Sequence, residues 1–283
     1  MQCLTPIHVV NNKDPAKGVL TVPCGKCPAC SENKAAQWYV RLKSEAEVSE
    51  NCVFVTYTYN DLSLPEPRKD EAGFYHYDVS RYDVQHLHYR IRKSLGYRSR
   101  KLKYFLVSEY GPNPINGWLF RPHYHAIYFN LMPDDYYIVE KAWNKGFTEI
   151  SQVTDDRIRY VSGYSIEKLF VPPGAAPSFS LISNGIGQSY VEKMKSFHKG
   201  NSDRMLAYVD GKRYPLPRYL KERLYNETER AAFAKVCELK GEQQYEKDLA
   251  ACGGDQNMLM ERYREIRSDY LRKRLQKHKK RKN

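Results

Sequence analysis

The sequence predicts an α+β protein: an antiparallel β-sheet with helices packed on it, preceded by a cysteine-bearing segment and followed by a helical, basic C-terminal region. Three observations carry this. Stretches of strand and helix character alternate between residues 52 and 170 in the order β, α, β, β, α, β, α. Two of the strands are joined by a loop rich in Gly, Pro and Asn, which favours an antiparallel pair. The length, 283 residues, is ample to bury a core.

The elements follow from local chemistry. Residues 1 to about 30 are punctuated by Pro6, Asn11, Asn12, Pro15, Gly18 and Pro23 and read as irregular. A helix is expected over Ser31–Val48, with Ser31 as cap and Trp38, Leu42 and Ala46 at helical spacing. Cys52–Tyr59 is β-branched and aromatic, stops at Asn60-Asp61, and reads as a core strand. Past Pro65 and Pro67, a helix is expected over Val79–Leu95, since Val84, Leu87, Ile91 and Leu95 recur at helical intervals. Lys103–Glu109 is a second strand, broken by Gly111-Pro112-Asn113-Pro114, and Tyr124–Asn130 is a third, with Asn116-Gly117 between them. Asp134–Asn144 reads as a helix, Gly146–Val153 as a short strand and Thr154–Phe170 as a helix ended by the Pro-rich block 171–177. After Leu216-Pro217-Arg218-Tyr219 a long charged helical region is expected. The implied organisation is a Cys-bearing segment with its helix (1–48), a catalytic-type α+β domain (49–225), and a basic helical region with a tail (226–283).

Composition narrows the function class. Mean hydropathy is −0.72, and no apolar run approaches the roughly 18 residues that would span a bilayer, so no membrane association is expected. The first residues have neither a cationic nor an apolar signal region, which implies a reducing cytoplasm. There are 46 Lys+Arg against 33 Asp+Glu, a net charge of +13. Residues 261–283 hold eleven Lys/Arg against three Asp/Glu, so most of the excess is C-terminal. The run Arg272-Lys273-Arg274 through Lys279-Lys280-Arg281 is too polar to bury itself and suits a phosphate backbone; a fraying tail is expected. Tyrosine occurs 24 times against 10 Phe, a composition that suits half-buried strands and base stacking alike.

Two His-x-His triplets differ in meaning. His86 and His88 lie in a helical pattern, where two steps turn roughly 200°, so they point apart and read as surface or interface residues. His123 and His125 begin a strand, where residues two apart share a face, so both imidazoles can reach one ion. Glu109 closes the preceding strand of the same hairpin and is a candidate third ligand; Asp61, at the end of the first strand, is its rival. Two nitrogens and one oxygen with open positions suit Mg²⁺ or Mn²⁺ shared with a substrate phosphate. Tyr160 and Tyr164 stand four apart on one helix, with Lys168 continuing the row. Such phenols could attack a phosphodiester if a cation or a metal-polarised phosphate helped them. Their plainer role is an apolar stripe.

Cys24, Cys27 and Cys30, three of seven cysteines, are clustered at CxxC spacing, with Cys3 as a possible fourth across a loop. In a reducing compartment this suggests a structural metal, Zn²⁺ before an iron–sulfur cluster, with buried thiols as the alternative.

Taken together, Phe54-Val55-Thr56-Tyr57-Thr58-Tyr59, then Arg121-Pro122-His123-Tyr124-His125-Ala126, then Arg159-Tyr160-Val161-Ser162-Gly163-Tyr164 with Lys168, resembles the three ordered motifs of HUH rolling-circle replication initiators. More narrowly, the chain resembles the replication-associated proteins of gokushovirus-type microviruses. Val22-Pro23-Cys24-Gly25-Lys26-Cys27, Glu109-Tyr110-Gly111, Ser183-Asn184-Gly185-Ile186-Gly187 and Leu216-Pro217-Arg218-Tyr219 add to the likeness, which covers about residues 20–225. The resemblance implies a metal-dependent endonuclease and strand transferase that nicks one strand of a supercoiled duplex origin. It becomes joined through a tyrosine to the 5′ phosphate and leaves a 3′ hydroxyl to prime synthesis. It further implies His123 and His125 as metal ligands, Tyr160 and Tyr164 as alternating nucleophiles, Lys168 as a phosphate-orienting residue and Arg121 as a DNA contact. Single-stranded DNA, a host helicase and polymerase, and the cytoplasm of a bacterial host complete the expectation. A plasmid initiator, an HUH transposase, or a non-catalytic metal-stabilised nucleic-acid-binding protein are the alternatives. No GxxxxGK[ST] loop is present to drive unwinding.

Overall fold

The computed structural model describes all residues except 1–2, 11–17, 26, 115–119, 165–170, 201–204 and 281–283; the side chains of 20, 112–114, 164, 271 and 274–280 are likewise left aside. In chain order the strands are β1 (Ile7–Val10), β2 (Val19–Val22), β3 (Cys52–Tyr59), β4 (Arg68–Lys69), β5 (Tyr75–His76), β6 (Lys103–Pro114), β7 (Phe120–Phe129), β8 (Gly146–Gln152), β9 (Ser180–Ile182), β10 (Leu206–Val209) and β11 (Lys212–Pro215). The helices are α1 (Pro28–Ala46), α2 (Arg81–Leu95), α3 (Tyr136–Ala142), α4 (Asp155–Tyr164), α5 (Ser189–Lys199), α6 (Arg218–Leu224), α7 (Glu227–Ala250) and α8 (Gln256–Lys280). The chain forms two compact units, residues 38–194 and residues 1–37 with 195–283.

The first of these units holds a five-stranded sheet in the order β8-β3-β7-β6-β9, antiparallel throughout. The protein is therefore α+β, as expected. On one face, alternate residues of β3 (Val53, Val55, Tyr57, Tyr59) and β7 (Tyr124, Ala126, Tyr128) join the main core with α2 and α3. On the other, Phe105 meets Trp38 of α1 at 4.9 Å between ring centroids. Here the charged pair Glu45–Lys103 (2.7 Å) is buried at its carboxylate, which also accepts the Gly187 N–H at 2.8 Å. Gly187 has φ +78, and a Cβ there would stand 2.7 Å from the Arg41 Cα, so the glycine of the Ser183–Gly187 motif permits a close approach to α1.

Several expectations need correction. The first helix begins at Pro28 rather than Ser31, because proline's missing N–H costs nothing in a first turn. The second strand runs on through Pro114 instead of stopping at Gly111; a register shift after Tyr110 accommodates the two prolines. The short edge strand β9 and the hairpin β10–β11 are additions to the expected elements. That hairpin turns at Asp210-Gly211, both at positive φ, which is a primed-turn signature. The backbone is helical to Lys280, so the basic run extends α8 rather than fraying. Of the expected helix over 154–170, α4 covers the part up to Tyr164; the rest lies outside the described residues.

In the unit comprising 1–37 and 195–283, α7 opens with a capping box between Asn226 and Glu229. The end of α7 and α8 enclose a small cluster of Cys252, Leu259 and Tyr263, whereas Cys237 is exposed. No helix among the described residues is long and apolar enough to cross a membrane.

His88 is the other correction: only His86 is at the surface. Leu87, Ile91 and His88 lie on the buried side of α2, and the His88 ring stacks on Tyr104 at 3.6 Å while its Nε2 meets the Tyr128 hydroxyl at 3.1 Å. Burial, and then the Arg92 charge, hold this imidazole down to about 3. An unfolded histidine titrates near 6.5, so below that pH the unfolded chain takes up a proton that the fold refuses, and stability falls with falling pH. Between pH 6.5 and 5, above the range of most carboxylates, wild type should lose about 2 kcal/mol relative to His88→Gln, measured by urea unfolding at each pH.

Candidate metal and phosphoryl-transfer site

The site is built on the middle of the sheet. β7 lies between β3 and β6, with His123 opposite Glu109 and Thr58, and His125 opposite Val107 and Thr56. Directly paired residues project to the same face, as do residues two apart. His123, His125 and Glu109 therefore converge, on the face opposite the tyrosine-rich core. One ligand atom from each lies within 4.8 Å of the others. Glu109 Oε2 is 3.1 Å from His125 Nε2 and 3.5 Å from His123 Nε2.

Burial alone would push the Glu109 carboxyl up, but the hydrogen bonds from His123 and His125, with their charges, hold it well below the usual carboxylate range. It is thus an anion with two imidazoles aimed at one of its oxygens. Thr56 Oγ1 contacts His125 Nδ1 at 3.1 Å, and Phe54 stacks on the same ring at 5.5 Å between centroids. With Nδ1 protonated and donating to Thr56, Nε2 keeps its lone pair directed toward Glu109, the arrangement a metal-binding imidazole needs. Two imidazole nitrogens and one carboxylate oxygen converging from neighbouring strands fit a divalent cation that keeps open positions.

α4 lies over β6 and β7 on this face and supplies Tyr160, half-buried, whose hydroxyl donates to Glu109 Oε2 at 3.2 Å. Its ring meets His125 edge-on at 5.5 Å. α4 is held by Asp155, which accepts from Tyr39 (2.6 Å) and pairs with Arg159 (2.8 Å).

The structure brings Glu109, His123, His125 and Tyr160 together. Asp61 is not with them: its side chain is 82% exposed and paired with Arg121, whose other nitrogen donates to the Tyr59 carbonyl at 2.6 Å. Tyr164 closes α4 with its side chain outside the described set, and Lys168 lies outside the described residues. Arg272 and Lys273 are exposed on α8; the side chains of Arg274, Lys279 and Lys280, and all of Arg281, are not described. Thr56 and Phe54 belong to a strand motif in the sequence and are not among its predicted site residues. What reveals them is the β3–β7 register, which one strand's sequence does not contain.

Residues 52–169 match the ORF2-type family model of replication-associated proteins. The chain resembles phage replication-associated proteins. The matched span starts at the first residue of β3 and takes in every residue of this site. Over 255 residues the chain is 26% identical to the replication-associated protein VP4 of Bdellovibrio phage phiMH2K, covering 78% of this chain and 76% of that protein. It is 27% identical to the replication-associated protein ORF2 of Spiroplasma virus 4, over 73% and 68% of the two chains. For the replication-associated protein ORF4 of Chlamydia phage 1 the values are 25% identity, 72% of this chain and 53% of that protein. No solved structure matches the chain.

Thr56→Val keeps the strand and removes the hydroxyl that orients His125. It should weaken Mn²⁺ binding about 10- to 100-fold in calorimetric titration, whereas an unchanged affinity would show that packing alone sets the ring.

Proposed function

We propose that the protein is a metal-dependent HUH endonuclease and strand transferase that initiates rolling-circle replication of a small circular single-stranded DNA phage genome. The observation that carries this reading is the Tyr160 hydroxyl, bonded to the carboxylate that also meets both histidines, within a segment that matches a replication-associated family.

Phosphoryl transfer needs in-line placement and charge neutralisation more than covalent novelty. A bound Mg²⁺ or Mn²⁺ would polarise a phosphate oxygen and neutralise the charge that develops on it. Glu109, His123 and His125 are the residues that hold it. Glu109 is too acidic to serve as a strong base, so its role toward Tyr160 is orientation; the phenol proton leaves to water. The Tyr160 oxygen bonds to phosphorus as the P–O3′ bond breaks, the 3′ oxygen takes up a proton, and the 5′ end stays linked to the protein. Because the phosphodiester is exchanged rather than hydrolysed, attack by a later 3′ hydroxyl reverses the link without a nucleotide cofactor. Tyr164, four residues on, is the second nucleophile, and Lys168 orients the phosphate.

The substrate would be single-stranded DNA at an origin extruded from supercoiled duplex, unwound by a host helicase and copied by a host polymerase in the bacterial cytoplasm. The basic residues of α8 and its end add sequence-independent, salt-sensitive affinity. Phe147 offers a ring for a base. It is opposite Thr58, which is opposite His123, so it shares the histidine face two strands away, and it is 68% exposed.

Incubation with a single-stranded phage-origin oligonucleotide and Mn²⁺ should give a covalent adduct on a denaturing gel. The Tyr160→Phe, Tyr164→Phe double variant should give none, and His123→Ala should lose cleavage while retaining DNA binding. Adduct formation by the double variant would falsify the nuclease reading; DNA binding with no adduct from wild type would favour a purely binding role. Phe147→Ala should weaken single-stranded DNA binding about tenfold, the worth of one base stacked on an aromatic ring, while Phe147→Trp retains it in anisotropy titrations.

A further inference from the structure

Cys3, Cys24, Cys27 and Cys30 come together from the segment before β1, the turn after β2 and the first turn of α1. Their four sulfurs all lie within 4.8 Å of one another, and none forms a disulfide. Cys27 Sγ is 3.8 Å from Cys3 Sγ. A tetrahedron of sulfurs around zinc, with bonds of about 2.3 Å, has edges of about 3.8 Å. The cluster thus needs only small side-chain adjustments to close on a single ion. It is too tight for a cubane, whose whole iron–sulfide core separates the cysteine sulfurs.

The surroundings favour thiolates. The Cys24 N–H donates to Cys3 Sγ and the Cys27 N–H to Cys24 Sγ, both at 3.3 Å, and the Thr5 hydroxyl donates to Cys24 Sγ at 3.5 Å. Gly25, at φ +73, makes the turn that aims the Cys27 N–H back at Cys24. Cys27 and Cys30 sit at the N-terminal end of α1, where the helix dipole favours negative charge.

A second observation says why an ion is needed here. The β1–β2 hairpin belongs to no larger sheet, and β1 is exposed along its whole length. An isolated two-stranded hairpin is marginal in water. The apolar support beside the cysteines amounts to Ala29 and part of Leu4. A bound metal would supply the missing tether, its binding energy becoming folding energy.

We propose that Cys3, Cys24, Cys27 and Cys30 hold one zinc ion in a closed, structural tetrathiolate site that ties the N-terminal hairpin to the start of α1. The four thiols bind as thiolates and release their protons to solvent. No position is left for substrate, so this site takes no part in the chemistry proposed for Glu109, His123 and His125, and stands or falls separately.

Full-length protein purified in reducing buffer without chelator should contain about one zinc per chain by mass spectrometry. Cys27→Ser and Cys30→Ser should lose it, while Cys237→Ser, at an exposed position, and His123→Ala should keep it. Replacement by Co²⁺ should give the thiolate charge-transfer and intense visible bands of a tetrahedral sulfur site. If the serine variants are insoluble, stripping zinc from wild type with a mercurial should lower the melting temperature, and added zinc should restore it. Wild type that contains iron, or that binds neither zinc nor cobalt, overturns the proposal, as does zinc retained by Cys27→Ser or unaltered melting after stripping.

Discussion

The antiparallel register of β7 between β3 and β6 is the constraint on which the candidate site depends. It sets His123 opposite Glu109 and His125 opposite Thr56. Because side chains alternate in a strand, a slip of one residue would send both imidazoles into the core and bring Tyr124 and Tyr128 out. The slip is opposed on both faces at once. Tyr124 and Tyr128 are fully buried on one side, and a buried carboxylate faces the histidines on the other. The register is thus enforced by burial over the whole sheet rather than by the three polar residues that benefit from it.

That burial explains much of the tyrosine excess. Tyr57, Tyr59, Tyr110, Tyr124 and Tyr128 fill the core face, and a buried hydroxyl needs a partner. They find partners in one another and in nearby groups: Tyr57 with Tyr128 at 2.9 Å, Tyr59 with Asp83 at 2.7 Å, and Tyr110 with the Ala176 carbonyl at 2.7 Å. Burial pushes all five phenols above their ordinary range. They are held neutral and cannot act as nucleophiles. Tyr160 differs in place rather than in kind: it is half-buried, on the other face, with its hydroxyl on Glu109.

The two ligand clusters illustrate opposite uses of similar spacing. Glu109, His123 and His125 stand on rigid neighbouring strands and leave open positions, as a site that must admit a substrate requires. The four cysteines come from short, weakly supported segments and, as four sulfurs, would close around an ion completely. Positioning comes from the sheet in the first case; in the second the ion would do the positioning.

Local pattern in the sequence is enough for the α+β class, for β3, α2, β7 and β8 to within a few residues, and for the choice of His123 and His125 over His86 and His88. Those features rest on alternation, helical spacing and turn residues, which act within a few positions along the chain. The pattern misses β9, which is three residues long and exists only because β6 has a free edge to pair with. It also leaves β10–β11 unread although Asp210-Gly211 is visible. It places His88 at the surface, because angular spacing says that two residues diverge but not which one faces the core. Tertiary structure alone decided that Glu109 rather than Asp61 joins the histidines, that Thr56 and Phe54 hold His125, and that Cys3 reaches the other three cysteines. Each of those pairings spans from 14 to 71 residues of chain, and such contacts are set by strand register and chain closure, which no local pattern encodes.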